Sequence, residues 1–158
     1  AELRRKEDLC QGLGRHTGGD MCGGSMTAEQ GLKRWHEVVE NGNSPEALAA
    51  IIHEDAVFHS PVVHTPQRGR PIVVAYLSAA GQTLGNDSFE YVRELVDGEN
   101  AMIEFKTEMD GIEVNGIDLI RFDQDGMIVD FKVMVRPLKA VNKVWEQMGA
   151  MLERMKAS

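Results

Sequence analysis

The chain of 158 residues is 42% hydrophobic, which suits one domain with a single core and calls for no second one. A formal charge of −8, with Lys and Arg scattered rather than clustered, excludes a phosphate-tracking surface, so nucleic acid is not an expected partner. Apolar runs such as residues 72–75 are far too short to span a bilayer and no apolar signal-peptide core follows the N-terminus, so the expectation is a soluble, cytoplasmic protein with no membrane partner.

Residues 1–25 open with a charged segment and become rich in glycine, which carries a high ordering cost and brings few side chains to repay it. They are expected to form a flexible extension ahead of one domain over residues 26–158, with Met26 as a candidate start. Cys10 and Cys22 both fall in this extension and imply no disulfide framework. Together with His16 and Asp20 their spacing matches no metal-ligand signature, so no metal is expected.

Thr27 and Gln30 have the spacing of a capping box, and Leu32, Trp35, Val38 and Val39 follow at helical intervals until Asn41-Gly42. Ser44-Pro45 starts a short second helix whose buried stripe is Leu48, Ile51 and Ile52. Residues 56–60 read as a short strand stopped by Pro61, and residues 62–69 as a loop carrying His64 and Pro66. A third helix runs from Pro71 to about Leu84, with Ile72, Tyr76 and Ala79 on one face.

Strands then dominate. Residues 89–96 alternate, and so do residues 101–109, where Ile103, Phe105, Thr107 and Met109 stand opposite Glu104, Lys106 and Glu108. Asp97-Gly98 and Asp110-Gly111 supply turns, and Gly116 reads as a bulge or bend in the next strand. Asp123-Gln-Asp-Gly126 is a hairpin connection into the last strand, where Val129, Phe131, Val133 and Val135 share the core face. Leu138, Val141, Trp145, Met148, Leu152 and Met155 then define an amphipathic C-terminal helix. The outer face of the meander, with Glu104, Leu119, Lys132 and Met134, is too mixed for a core and too apolar for a wet sheet, which points to a two-fold homodimer through that face.

The same alternation groups Asp118 with Ile120 and Phe122, against Leu119 and Arg121, so this carboxylate points inward. Two readings stand. Asp118 is either a structural residue near the strand's start, bonded to backbone or water, or a group held in an apolar interior that must find donors or take up a proton.

The order of helix, helix, short strand, helix and four-stranded meander resembles the nuclear-transport-factor-2-like superfamily, in particular its SnoaL-like polyketide cyclase and ketosteroid isomerase branches. The likeness covers residues 27–136, on Asp55-Ala-Val-Phe-His-Ser-Pro61, Pro66-Gln-Arg-Gly69, Gly116-Ile-Asp-Leu-Ile-Arg-Phe122 and Asp125-Gly126. It implies an α+β fold, a cone-shaped curved antiparallel sheet wrapped around three N-terminal helices (cystatin-like), here with an extra C-terminal helix. It also implies a homodimer, and an apolar pocket that works on a small hydrophobic carbonyl compound without a cofactor.

By this resemblance Asp118 falls where ketosteroid isomerases place the protonated aspartic acid of their oxyanion hole. Ser60 stands in place of their general-base aspartate and Trp35 in place of their tyrosine. His64 and His59, flanking the turn at Ser60-Pro61, are then the candidate proton movers beside Asp118, although pleating from Phe58 turns His59 the other way. Trp35, Ser60, Tyr76, Phe105, Phe122, Phe131 and Val133 are the candidate substrate-binding residues. The expected activity is isomerase, cyclase or lyase chemistry by acid–base catalysis; a non-catalytic binding or dimerisation module with the same cavity is the alternative.

Overall fold

The computed structural model describes residues 26–157, so the expected flexible extension at 1–25, with its two cysteines, lies outside the described residues. Thr27 caps the first helix, α1 (Ala28–Glu40), as its spacing predicts: the Gln30 N–H donates to Thr27 Oγ1 at 3.3 Å and the Thr27 N–H to Gln30 Oε1 at 3.0 Å. Ser44 caps α2 (Pro45–Ile51) in the same manner, accepting from the Ala47 N–H at 3.2 Å.

The first strand, β1 (Ile52–His59), starts earlier than the sequence suggests. Ile52, expected on the second helix, is instead the first strand residue, fully buried and paired with Ile128. Apolar spacing cannot separate a short helix from a strand whose partner lies 76 residues away. Within the expected loop, the two-residue β2 (Gln67–Arg68) pairs with Val57 and Phe58. Helix α3 (Arg70–Leu84) buries Val73, Leu77 and Ala79, while Ile72, expected on the packed face, is exposed. This helix is apolar on several sides, so its sequence does not mark the inner one.

The strands β3 (Glu90–Asp97), β4 (Asn100–Met109), β5 (Ile112–Phe122) and β6 (Ile128–Arg136) form the meander. With β1 and β2 they make one sheet in the order β2-β1-β6-β5-β4-β3, antiparallel throughout except for the parallel pair β1 and β6. The sheet curves, does not close, and holds α1 and α3 against its concave face. That face carries Ile103, Phe105, Thr107 and Met109 from β4 and Val114, Asp118, Ile120 and Phe122 from β5, all buried.

Gly116 is not a bulge, because its register with both β4 and β6 is continuous. It is opposite Phe105, whose ring occupies the space that a Cβ at this position would need. The irregularity lies further along, between Arg121 and Phe122, and it skips Val129, so Ile128 takes the buried place expected for Val129.

Helix α4 (Leu138–Lys156) lies against α3, β5 and β6. It buries Ala140, Val144 and Met148, whereas Leu138 is 73% and Trp145 63% exposed. The expected stripe thus shares only Met148 with the buried set: periodicity ranks the apolar residues, but the exit from β6 at Pro137 decides which strip turns inward. Among the described residues no helix is long and apolar enough to cross a membrane.

Candidate functional site

Asp118 sits in the middle of β5, flanked on the concave face by Ile103 of β4 and Val133 of β6. It is 7% exposed, which settles its orientation in favour of the interior. Among the described residues the hydrogen bond to its carboxyl comes from Tyr91, whose hydroxyl donates to Asp118 Oδ2 at 3.4 Å. The same phenol oxygen accepts the indole N–H of Trp35 at 3.0 Å. A polar chain therefore runs from α1 through the edge strand to the centre of the sheet, with an aspartic acid at its inner end.

Burial sets the protonation of this chain. Desolvation raises the Asp118 pKa from the ordinary 3.8 to about 7, and the long bond from Tyr91 opposes the rise only in part. Tyr91 is pushed upward as well, first by burial and then by the charge of Asp118, so it remains a neutral phenol at ordinary pH. Near neutrality Asp118 is divided between a form that donates a proton and one that does not.

The pair faces a cavity of about 120 Å³. Trp35, Phe58, Phe105, Phe131 and Val133 form apolar walls, Val144 and Met148 of α4 roof it, and Ser60 and Asn43 add polar atoms. Ring contacts hold the walls, with Trp35 on Phe131 at 4.9 Å and Phe89 stacked on Phe105 at 5.5 Å between centroids. The volume is near the roughly 150 Å³ that accommodates benzene in an engineered core cavity, so it suits a single ring rather than a fused polycycle.

Of the residues expected at the site, Trp35, Ser60, Phe105, Asp118, Phe131 and Val133 meet around this cavity. Tyr76 and Phe122 do not line it. Tyr76 packs behind Phe58 at 5.3 Å, and Phe122, four residues along β5 from Asp118, fills the core beneath Gly31 of α1. His59 and His64 are also apart from Asp118. Both line a second, open cleft of about 490 Å³ with Lys132 and Met134. The pleat that turns Phe58 inward turns His59 outward, where its Nε2 meets Asp130 Oδ2 at 2.9 Å. Ser60, Pro61, Val133 and Val135 line both spaces and form the wall between them. The Ser60 hydroxyl accepts the Val62 N–H at 3.2 Å, holding the turn.

Tyr91 escaped the sequence reading. It occurs on an edge strand that is largely exposed, and a register shift after it breaks the alternation that would have grouped it with the concave face. The usable signal was chemical: a phenol on the same strand face as Phe89 needs a partner for its hydroxyl when buried. Among the described residues no cluster of three or more His, Cys, Asp or Glu is placed to hold a metal ion. What the arrangement can do is hold a carbonyl oxygen against the protonated carboxyl of Asp118 in an apolar surround, where a fixed donor acts most strongly, while the single hydroxyl hydrogen of Tyr91 is spent on Asp118 itself.

The fold has solved counterparts. A steroid delta-isomerase from Pseudomonas aeruginosa is 38% identical over 83% of this chain and 95% of its own, with a TM-score of 0.77. An uncharacterized protein conserved in bacteria, with a cystatin-like fold, from Silicibacter pomeroyi is 31% identical over 76% of this chain and 83% of its own, at a TM-score of 0.70. An NTF2-like protein of unknown function from Mesorhizobium loti is 28% identical over 70% of this chain and 91% of its own, at 0.59. No curated protein matches the sequence. The model of the SnoaL-like domain matches residues 32–131, the stretch that carries Trp35, Phe58, Tyr91, Phe105, Asp118 and Phe131, and the chain belongs to that family.

Proposed function

We propose that the protein binds a small, apolar carbonyl compound in the Asp118 cavity and polarises its oxygen. The observation that carries this reading is the buried Asp118 joined to Tyr91 and Trp35 at the wall of an otherwise apolar space. A ketone oxygen placed there accepts from the protonated carboxyl, and exclusion of water makes the bond stronger than the same contact at a surface. Cyclohexenone is a suitable probe. Titrated into the protein, it should show a downfield shift of its carbonyl carbon that disappears in Asp118→Leu and weakens above pH 7 as the donor ionises. An unchanged carbonyl signal, or the same shift with Asp118→Leu, would sink the reading.

A second reading, favoured by the 38% identity to a steroid delta-isomerase, makes the site catalytic. In it a base removes the proton beside the carbonyl, Asp118 stabilises the enolate oxygen, and the proton returns at the far carbon of the allylic system. His64 and His59 are the candidate bases, and either serves only if the turn at Ser60-Pro61, which separates their cleft from the Asp118 cavity, moves to bring it to the substrate; no cofactor takes part. Conversion of a β,γ-unsaturated cyclohexenone to its conjugated isomer, followed by ultraviolet absorbance, distinguishes catalysis from binding alone.

The same proposal extends to assembly. Leu119, 37% exposed, and Met134, 51% exposed, stand beside Lys132 and Glu104 on the outer sheet face, which would join two copies. Sedimentation showing monomer alone at micromolar concentration would exclude it.

A further inference from the structure

The sheet has two edges of unequal length. One is the two-residue β2, and the other is β3, which is exposed at every residue except Tyr91. Leu95 is 57% exposed there, and Val92 and Val96 are exposed beside it. An open strand of this length, carrying apolar side chains, offers its backbone donors and acceptors to any extended segment that comes alongside.

Residues 93–97 pair with β4 in unbroken register, from Arg93 opposite Glu104 to Asp97 opposite Asn100, and the register shift after Tyr91 bounds this stretch on its other side. Arg93, Leu95 and Asp97 therefore share the outer face with Glu104, whereas Glu94 and Val96 share the opposite face, on which Glu94 meets His36 of α1. Asp97 and Asn100 close the two-residue turn at Gly98-Glu99, so they exchange their backbone hydrogen bonds with each other. The alternation of an antiparallel pair then directs the backbone groups of Leu95 and Arg93 toward β4. Those of Glu94 and Val96 are aimed at the open edge.

We infer that β3 pairs antiparallel with β3 of a second copy of this chain, with Leu95 on the two-fold axis. Charges on an edge strand ordinarily discourage pairing, and the neighbouring registers obey that rule, since Arg93 or Glu94 on the axis would face its own like charge. Val96 on the axis would leave only residues 95–97 to pair. With Leu95 on the axis every charge on the outer face finds its opposite: Arg93 stands across from the partner's Asp97, and Asp97 across from the partner's Arg93. Glu94 and the partner's Val96 then exchange backbone hydrogen bonds, and Leu95 packs on its twin. Arg93 already leans on Glu104 at 3.3 Å through Nε, which leaves the rest of its guanidinium for the partner carboxylate. This contact joins two six-stranded sheets edge to edge and is separate from the outer-face contact of Leu119 and Met134. It also braces the strand that carries Tyr91, the donor to Asp118.

Backbone amide exchange of the full chain, followed by NMR from micromolar to millimolar concentration, tests the pairing. The Glu94 and Val96 amides should exchange on the order of 10-fold more slowly in the concentrated sample, while Gly98, in the turn beyond the paired stretch, should not change. Arg93→Asp or Asp97→Arg alone sets like charges opposite each other twice across the axis. Each should raise the concentration at which protection appears on the order of 10-fold. The two together restore opposite charges with their signs exchanged and should recover most of that loss.

Exchange at Glu94 and Val96 that is independent of concentration overturns the inference: if fast, the edge stays open, and if slow, it is covered from within one chain. Slowing that neither single variant weakens, or that the double variant fails to restore, overturns the register and with it the charge argument. Association through Leu119 and Met134 alone leaves these two amides unaltered, so the two contacts are read separately.

Discussion

Replacing Asp118 with Asn removes a titrating group without changing the shape of the side chain, and the consequence for stability follows from the Asp118 pKa. The native protein holds the Asp118 proton with a pKa of about 7, against 3.8 for the ordinary carboxyl. Folding therefore takes up a proton between those limits, and the stability due to this group, complete below about pH 4, is lost as pH rises through about 7. At about 1.4 kcal/mol per tenfold change in proton concentration, the interval corresponds to roughly 4 kcal/mol. Asp118→Asn does not titrate, and its amide still offers an oxygen to Tyr91 and an N–H to the cavity. Urea unfolding of both proteins across pH 4 to 8, compared at each pH, cancels the other ionisable groups. Wild type minus variant should fall by up to about 4 kcal/mol as pH rises and then level off above pH 7, where the variant is the more stable. A flat difference, or one that grows with pH, would show that Asp118 is solvated or capped by stronger donors and would refute its role as an acid.

Tyr91→Phe deletes both the bond to Asp118 and the acceptor for the Trp35 indole; it should destabilise the protein by about 1–3 kcal/mol. The same change should raise the Asp118 pKa further, read by carboxyl-carbon NMR, since the lost bond had held it down. Gly116→Ala places a methyl group in the Phe105 ring and should cost about 1–3 kcal/mol or more in chemical denaturation; adding Phe105→Leu should recover part of the loss. Ser60→Asp restores a carboxylate to the cavity wall, and isomerisation of a β,γ-unsaturated cyclohexenone should rise above the wild-type rate, with absorbance as the assay.

The parts of this molecule that could be read from sequence are those where one periodicity governs a long run. Alternation along β4 and β5 placed Ile103, Phe105, Ile120 and Asp118 on the concave face, and all are buried there. Capping chemistry marked the start of α1 and α2 at Thr27 and Ser44. Reading failed where an event outside the local pattern decides orientation. Register shifts displaced Val129 and obscured Tyr91. The short turn after Ser60 put Val62 on the cavity and His64 on the opposite cleft, and nothing in its spacing tells which side of a wall a loop residue faces. Asn43 was invisible for a related reason, because an Asn after a helix reads as a stop signal, and its burial depends on a glycine in a different helix.

The chain has two tryptophans, and their surroundings are opposite. Trp35 is 3% exposed with its indole N–H tied to the phenol beside Asp118, while Trp145 is 63% exposed on the outside of the roof helix. The molecule therefore carries two optical reporters that a soluble quencher can separate. Acrylamide should silence Trp145 and leave a blue-shifted emission from Trp35, whose colour and lifetime then follow the ionisation of the neighbouring carboxyl and the arrival of any ligand, without a label and in the unmodified protein.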